Sequence, residues 1–291
     1  MTGTVLVTGG AGSVGRRVVA RLRSHKLPVR VFDLPNLDYS GLEGEPGIEV
    51  ARGSITDASQ VRQAMEGVSA VVHLAALLPP NSERDRARTF AVNVEGSIIL
   101  ARALLEVNAG APLVFSSSVS TYGDTTDRDP PVRVDTPQQA LDIYAESKIE
   151  AERRLRELYP PTVALRIAGI SVPAFQEPPA VWPFMMDQRI EFVHRDDVVT
   201  ALCSAAVNKD ARGRVFNIGG GCSWQMLGAK YVADYYALLG VPFEEAVFMD
   251  RPGWFDWYDT EDSQRVLKYQ NTSYETYLEQ VKAEIERLMA G

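Results

Sequence analysis

The chain has 291 residues, of which 45% are hydrophobic and 23% charged, with a formal net charge of -8. That composition suits a globular protein with a full core, as one large domain or a domain with a smaller appendage. The acidic balance, without any cluster of Lys or Arg, argues against a nucleic-acid or anionic-membrane surface. Cys203 and Cys222 are expected as reduced thiols in a cytosolic protein. The start Met-Thr-Gly-Thr lacks the basic flank and long apolar core of a leader, and the apolar stretch Ala70–Leu78 is interrupted by His73 and too short for a bilayer. The expectation is a soluble, cytoplasmic chain with no membrane and no nucleic-acid partner. His25, His73 and His194 lie far apart without acid or cysteine companions at ligand spacing, so no metal site is expected.

In chain order, Thr4–Thr8, Val29–Phe32, Ala70–Leu74 and Leu113–Ser116 read as strands buried on both faces. Val14–Ser24, Ala58–Met65 and Arg84–Glu106 carry helical periodicity between them. This alternation predicts a doubly wound parallel α/β sheet of Rossmann type with right-handed crossovers. A helix over Gln139–Tyr159, ended by Pro160-Pro161, precedes a strand at Thr162–Ile167. Beyond Arg166, Pro173, Pro178, Pro179 and Pro183 mark a loop over a site. Asp196 is expected to cap a helix Asp197–Val207, Phe216–Ile218 to form a strand, Ser223 to cap a helix Trp224–Leu239, and Ser273–Met289 to form the last helix. The division expected is a dinucleotide-binding domain over 1–168 and a mixed region over 169–291. The latter supplies substrate-binding segments as a small C-terminal appendage, plus the last sheet elements.

Gly9, Gly12 and Gly15 recur every third residue where the first strand meets the first helix. Gly9 permits a tight turn, Gly12 a close backbone approach to a pyrophosphate, and Gly15 close helix–strand packing. The helix N-terminus at Ser13 and Val14 offers N–H donors and a favourable dipole. Asp33, ending the second strand, suits the two ribose hydroxyls and repels a 2′-phosphate, so NAD is expected over NADP, although Arg16 and Arg30 keep NADP open. Ser54 and Asp57 follow the third strand, where a carboxylate can meet an adenine amino group. Leu74, Ala75 and Ala76 end the fourth strand with small residues along the cofactor path.

Tyr144 and Lys148 stand at i and i+4 on one helix face. A phenol is a poor base at neutral pH, and an ammonium one turn away favours its phenolate. Tyr144 can then take the proton of a substrate hydroxyl while hydride leaves the same carbon. The strand Leu113–Ser116 runs into Ser117 and Ser118, bringing a hydroxyl donor to the sheet's mouth. Asn93, inside the long helix, is a candidate to hold a water or carbonyl in a proton path to Lys148, with an ordinary polar helix face as the equal alternative.

Gly-x-x-Gly-x-x-Gly, His-Leu-Ala-Ala, Asn93-Val-Glu-Gly, Ser-Ser-Ser…Tyr-Gly, Tyr-x-x-x-Lys and Phe192-Val-His-Arg-Asp-Asp-Val, in that order, resemble the extended short-chain dehydrogenase/reductases, and within them the NAD-dependent epimerase/dehydratase branch. The resemblance spans Thr4 to Gly220. It implies Tyr144 as base, Lys148 as its activator and ribose ligand, Ser118 as hydroxyl partner, Ser116 and Ser117 as strand-end and cofactor-pocket residues, a structural His194, and a homodimer through the helices Arg84–Glu106 and Gln139–Tyr159. Dehydratases of the family place an acidic pair after the catalytic hydroxyl, where this chain has Val119-Ser120, so dehydration is disfavoured. The stretch from Gly169 to Phe192 is short, holds Arg189 as its arginine, and carries Trp182, Phe184, Met185 and Met186. A compact, partly apolar pocket of this kind leans toward free sugars or sugar acids, as in uronate dehydrogenases. The cluster Trp254–Tyr258 serves either that pocket or the core. Epimerase and dehydrogenase share one triad and both stay open, as does a non-catalytic NAD sensor.

Overall fold

A computed structural model describes residues Gly3–Ala290. Met1 and Thr2, which open the stretch read above for a leader, and Gly291 lie outside the described residues. In chain order the first half runs β1 (Thr4–Thr8), α1 (Ser13–Ser24), β2 (Val29–Asp33), β3 (Ile48–Arg52), α2 (Ala58–Ala64) and β4 (Val68–His73). It continues with α3 (Arg86–Phe90), which passes through a π-helical stretch, Ala91–Gly96, into α4 (Ser97–Asn108), then β5 (Leu113–Ser118), α5 (Ile143–Leu158) and β6 (Thr162–Ile167). The second half adds β7 (Gly169–Ser171), β8 (Arg189–His194), α6 (Arg195–Val207), β9 (Val215–Ile218), β10 (Gln225–Leu227), α7 (Gly228–Leu239), α8 (Glu261–Leu267) and α9 (Tyr274–Ala290).

Seven strands form one parallel sheet in the order β3-β2-β1-β4-β5-β6-β9. Both faces are covered, which is why the strands read as continuous apolar runs rather than alternating ones. Val5, Val7, Val31 and Val72 point to the layer holding Val18, Leu22 and the α6 residues Leu202 and Ala205. Leu6, Phe32, Val71 and Phe115 point the opposite way, toward Leu100, Leu104, Ala151 and Leu155. A second sheet, β10-β8-β7, carries a separate aromatic core in which Trp182, Phe184, Trp224, Tyr231 and Phe255 meet.

Several element boundaries differ from the sequence expectation for local reasons. The helix expected from Gln139 starts at Ile143, because Asp142 is the N-cap and accepts from Ala145 N. His194 rather than Asp196 caps α6: its Nδ1 accepts from the Asp196 amide, which lies in the first turn. Ser223 caps no long helix. Trp224 closes a 3-10 turn and donates Nε1 to Thr272 O, Gln225–Leu227 pair with β8, and α7 begins only at Gly228. The helix expected over Arg84–Glu106 is capped by Asp85 and interrupted by the π turn. Trp182 and Phe184 are buried in the aromatic core and Met186 is exposed, so of the apolar residues of the stretch after Gly169 it is Ile170 rather than these that lines the cleft. Cys203 is buried and Cys222 exposed, both as free thiols.

Glu191 joins the pieces of the smaller sheet. Its carboxylate accepts from Gly221 N at 2.9 Å, Gln225 Nε2 at 3.0 Å and Tyr258 N at 2.8 Å. Burial without a cation pushes its carboxyl up to about 7, and the three hydrogen bonds only partly oppose that. An unfolded glutamate titrates near about 4.3. The folded state therefore holds the proton more tightly than the unfolded chain. The contribution is fully present below the unfolded value and is lost as pH rises through about 7. Urea unfolding across this window is expected to show stability declining with rising pH, and Glu191→Gln is expected to flatten that decline; an unchanged slope in the variant would contradict the assignment.

Candidate active site

The strand order reverses between β1 and β4, and open parallel sheets bind ligands over the carboxyl ends of their strands at such a reversal. A cleft of about 470 Å³ lies there, lined by the glycine loop, the β5 end, the start of α5, Ile170 and Trp254. A second cavity of about 590 Å³ sits at the other end of α1 and α6, among Arg21, His25, Cys203, Arg212 and Lys268. Though larger, it is lined by no tyrosine and by none of the glycine-loop or β5-end residues.

Gly9 turns the chain at φ +69°, and a Cβ there would come within 2.8 Å of Ala75 N. At Gly15 a Cβ would lie 2.1 Å from Gly9 O, so only glycine lets α1 start this close to β1. Gly12 is the N-cap and brings no side chain to the first turn, which leaves the Ser13 and Val14 amides for a ligand. Asp33 stands beside this cradle, accepting from Ala11 N at 3.0 Å and Leu34 N at 2.9 Å. These groups fit a dinucleotide: open amides for its pyrophosphate and a carboxylate at the β2 end for its ribose.

The arginines that kept a 2′-phosphate open are engaged elsewhere. Arg16 donates to the carbonyls of Ala11, Asp38 and Ser40, and Arg30 to Ala64 O, Glu66 O and the Glu49 carboxylate. Ser54 Oγ bonds the Thr56 hydroxyl, and Asp57 caps α2 through Ser59 N and Gln60 N. The hydrogen bonds from Ser59 and Gln60 hold the Asp57 carboxyl below the usual range. Neither residue lines the cleft; Leu74 and Ala76 do, and Ala75 touches the loop through its backbone.

Tyr144 and Lys148 both line the cleft from one face of α5, and Ser116, Ser117 and Ser118 line it from the β5 end. Ser118 Oγ accepts from both Ser120 N (3.1 Å) and Ser120 Oγ (2.9 Å). Its own proton therefore has no protein acceptor and is available to a ligand oxygen. Lys148 is 2% exposed, donates Nζ to Ser116 O at 2.7 Å and lies 4.8 Å above the Phe115 ring. Burial pushes its amine down to about 7. The same desolvation, with Asp142 nearby, pushes the Tyr144 phenol well up. The expected depression of the phenol by Lys148 is thus absent in the chain alone: Nζ sits 5.6 Å from the Tyr144 ring centre and is turned to Ser116.

Asn93 is buried in the π turn. Its Nδ2 donates to Leu77 O and to Ser147 Oγ, and its Oδ1 accepts from Leu77 N. It ties the chain after β4 to the first turns of α5, and its side chain bonds no group on Lys148. Ser97 Oγ donates to Asn93 O, so it accepts from His73 Nε2, and Thr8 Oγ1 then donates to His73 Nδ1 at 2.7 Å. His73 is held neutral, its imidazole pushed down to about 3 by burial with Lys148 adding to it. Glu83 was not singled out from sequence. It accepts from Ile143 N and Tyr144 N at 2.9 and 3.1 Å, and only the fold brings these residues together. Arg189, the arginine of the short stretch, is engaged by Asp256, Thr125 O and Arg128 O.

The sequence profile of the NAD dependent epimerase/dehydratase family matches residues 5–170, more than half of the chain. The chain belongs to that family. Among its relatives, a 3 beta-hydroxysteroid dehydrogenase/Delta 5-->4-isomerase of Mycobacterium tuberculosis is 34% identical over 157 residues, covering 52% of this chain and 41% of that protein. A UDP-glucose 4-epimerase of Lactobacillus helveticus is 34% identical over 154 residues, covering 51% of this chain and 45% of the relative. The matched part of the chain therefore spans less than half the length of either. A short-chain dehydrogenase/reductase superfamily structure from Agrobacterium tumefaciens with bound NAD superposes with a TM-score of 0.81 at 26% identity, covering 99% of this chain and 98% of that one. The cofactor of this epimerase/dehydratase-family cleft is NAD. Among the described residues no helix is long and apolar enough to cross a membrane.

Hydrogen bonds to a charged acceptor contribute roughly 1.5–3 kcal/mol. Asp33→Ala is accordingly expected to weaken NAD about tenfold or more and to narrow the preference over NADP. Titration of both cofactors by fluorescence checks this, and an unchanged ratio would count against Asp33 as the ribose ligand.

Proposed function

We propose that the protein is an oxidoreductase or epimerase that works on a secondary hydroxyl of a sugar or sugar derivative, with Tyr144 as the proton acceptor. One observation carries this reading: Tyr144, Lys148 and a Ser118 whose proton is unclaimed line the same cleft as the glycine loop. NAD⁺, when bound, supplies a positive charge beside the phenol and accepts hydride from the carbinol carbon. Ser118 donates to the substrate oxygen and holds it near the phenol. Tyr144 takes the hydroxyl proton as the carbon–hydrogen bond breaks. Lys148 keeps positive charge near the phenol when protonated and is anchored to the β5 end through Ser116 O. Ribose contacts by Lys148 belong to the same proposal, as do ligand contacts by Asp33, Ser54, Asp57, Leu74, Ala75 and Ala76.

Val119 and Ser120, at the position of the family's acidic pair, are buried in a 3-10 turn and offer no carboxylate, which disfavours loss of water. Hydride returned to the same ligand makes an epimerase, and hydride released as NADH makes a dehydrogenase. A second reading is an apolar secondary alcohol. The walls Leu78, Pro79, Ile170 and Trp254 favour it, and a relative named as a hydroxysteroid dehydrogenase accords with it.

Tyr144→Phe is expected to leave NAD affinity unchanged and to lower kcat by about 10²–10⁴, the usual contribution of a positioned acid–base group. The substrate panel covers free sugars, nucleotide sugars and hydroxysteroids, with NADH absorbance and product stereochemistry followed together. Full activity in the variant would dismiss Tyr144 as the base, and NAD binding without turnover of any panel member would favour a sensor.

The reading also includes a homodimer through α3–α4 and α5, which lie side by side and leave Leu105 exposed. A light-scattering mass twice the 32.0 kDa of the chain is expected, and a monomer would refute it.

A further inference from the structure

The substrate half of the cleft is notable for where its charges lie. Among the described residues no Lys or Arg lines it apart from Lys148, whose Nζ is bonded to Ser116 O. Two buried or half-buried arginines of the fold are engaged elsewhere: Arg189 by Asp256 and two carbonyls, and Arg166 by Glu152, the Tyr122 hydroxyl and Val134 O. Two carboxylates, Glu83 and Asp142, stand at the start of α5. Both oxygens of Glu83 are used by the Ile143 and Tyr144 amides. Asp142 lines the cleft and spends Oδ1 on Ala145 N, while its Oδ2 has no donor among the described residues. Burial, with Glu83 close by, pushes its carboxyl above the usual range despite that hydrogen bond, as expected for acids that lack a cation.

A phosphate, diphosphate or carboxylate entering this space would face Asp142 with no arginine to hold it, and like charges in a partly desolvated cleft repel strongly. A hydroxyl group would instead find an open acceptor. We propose that Asp142 is a specificity-determining residue, accepting a hydrogen bond from a hydroxyl of an uncharged substrate and excluding that substrate's acidic or phosphorylated counterparts. This rests on the Tyr144 reading for the location of the substrate. It narrows that reading against sugar acids and nucleotide sugars, and it holds for both a neutral sugar and an apolar alcohol.

The test is calorimetric binding to the NAD-loaded full chain, using matched probes. One set is aldohexoses, their hexuronates and their 1-phosphates; the other is cyclohexane-1,4-diol against 4-hydroxycyclohexanecarboxylate. The expected result is at least about tenfold tighter binding of the neutral member in one set or both, with the ratio falling below about threefold in Asp142→Asn. Asparagine still caps α5, so the variant keeps the helix start. An acid or phosphate that binds as tightly as its neutral partner, a ratio unchanged in the Asn variant, or no binding by any probe overturns the proposal. Repeating the titrations in Tyr144→Phe separates the two readings. If the neutral preference is present but wild type oxidises none of the bound probes, the Tyr144 chemistry fails while the role of Asp142 stands.

Discussion

A single buried chain of hydrogen bonds ties the cofactor side of this protein to its catalytic side. Thr8 at the end of β1 donates to His73 at the end of β4, His73 to Ser97, and Ser97 to the carbonyl of Asn93. Asn93 donates to Ser147, and Ser147 to the carbonyl of Tyr144. Each donor has one acceptor in this direction, so the neutral Nε2–H tautomer of His73 is the one the chain requires. Reversing or charging the imidazole would leave a buried polar group facing another of its own kind, which is costly in a low-dielectric interior. The π turn at Ala91–Gly96 belongs to this arrangement. It carries Asn93 inward, where the side chain reaches both Leu77 and Ser147.

The electrostatics of the cleft follow from its placement at the sheet's switch point. Lys148 must be buried to stand behind Tyr144, and burial makes its amine easier to deprotonate and the phenol harder to ionise. The protein by itself therefore keeps the proton on the tyrosine. Under the proposed mechanism the charge of bound NAD⁺ would offset this penalty and couple proton abstraction to cofactor occupancy. At the N-terminus of the same helix, Glu83 and Asp142 satisfy three first-turn amides and favour the positive end of the helix dipole. That stabilises the start of α5 and leaves a carboxylate, Asp142, on the cleft.

The C-terminal region reaches the site by packing rather than through loop flexibility. Trp182 and Phe184 anchor the proline-rich stretch in an aromatic core, and Arg189 is locked by Asp256. What this region presents to the cleft is Gly169, Ile170 and Trp254, with the Trp254 ring stacked on Phe255 at 3.9 Å. The pocket is compact because the apolar side chains of the short stretch are spent on holding it in place.

By itself the sequence determined the parallel sheet, the glycine loop and the Tyr144–Lys148 face, because each depends on short-range spacing: strand periodicity, glycine at positions a side chain would block, and two residues one helical turn apart. It also carried the expectation of NAD over NADP, through one acid at the end of one strand. Only the tertiary structure decided what depends on residues far apart in the chain. Glu83 clamps Tyr144 across 61 positions of sequence and carries no local signature. Asn93 serves Leu77 and Ser147 rather than Lys148. Arg16 and Arg30 kept a phosphate ligand open in sequence and are spent on carbonyls and a carboxylate in the fold. A charged side chain announces its type in the sequence, but its partner is chosen by which backbone and side-chain groups the fold brings within about 3 Å of it.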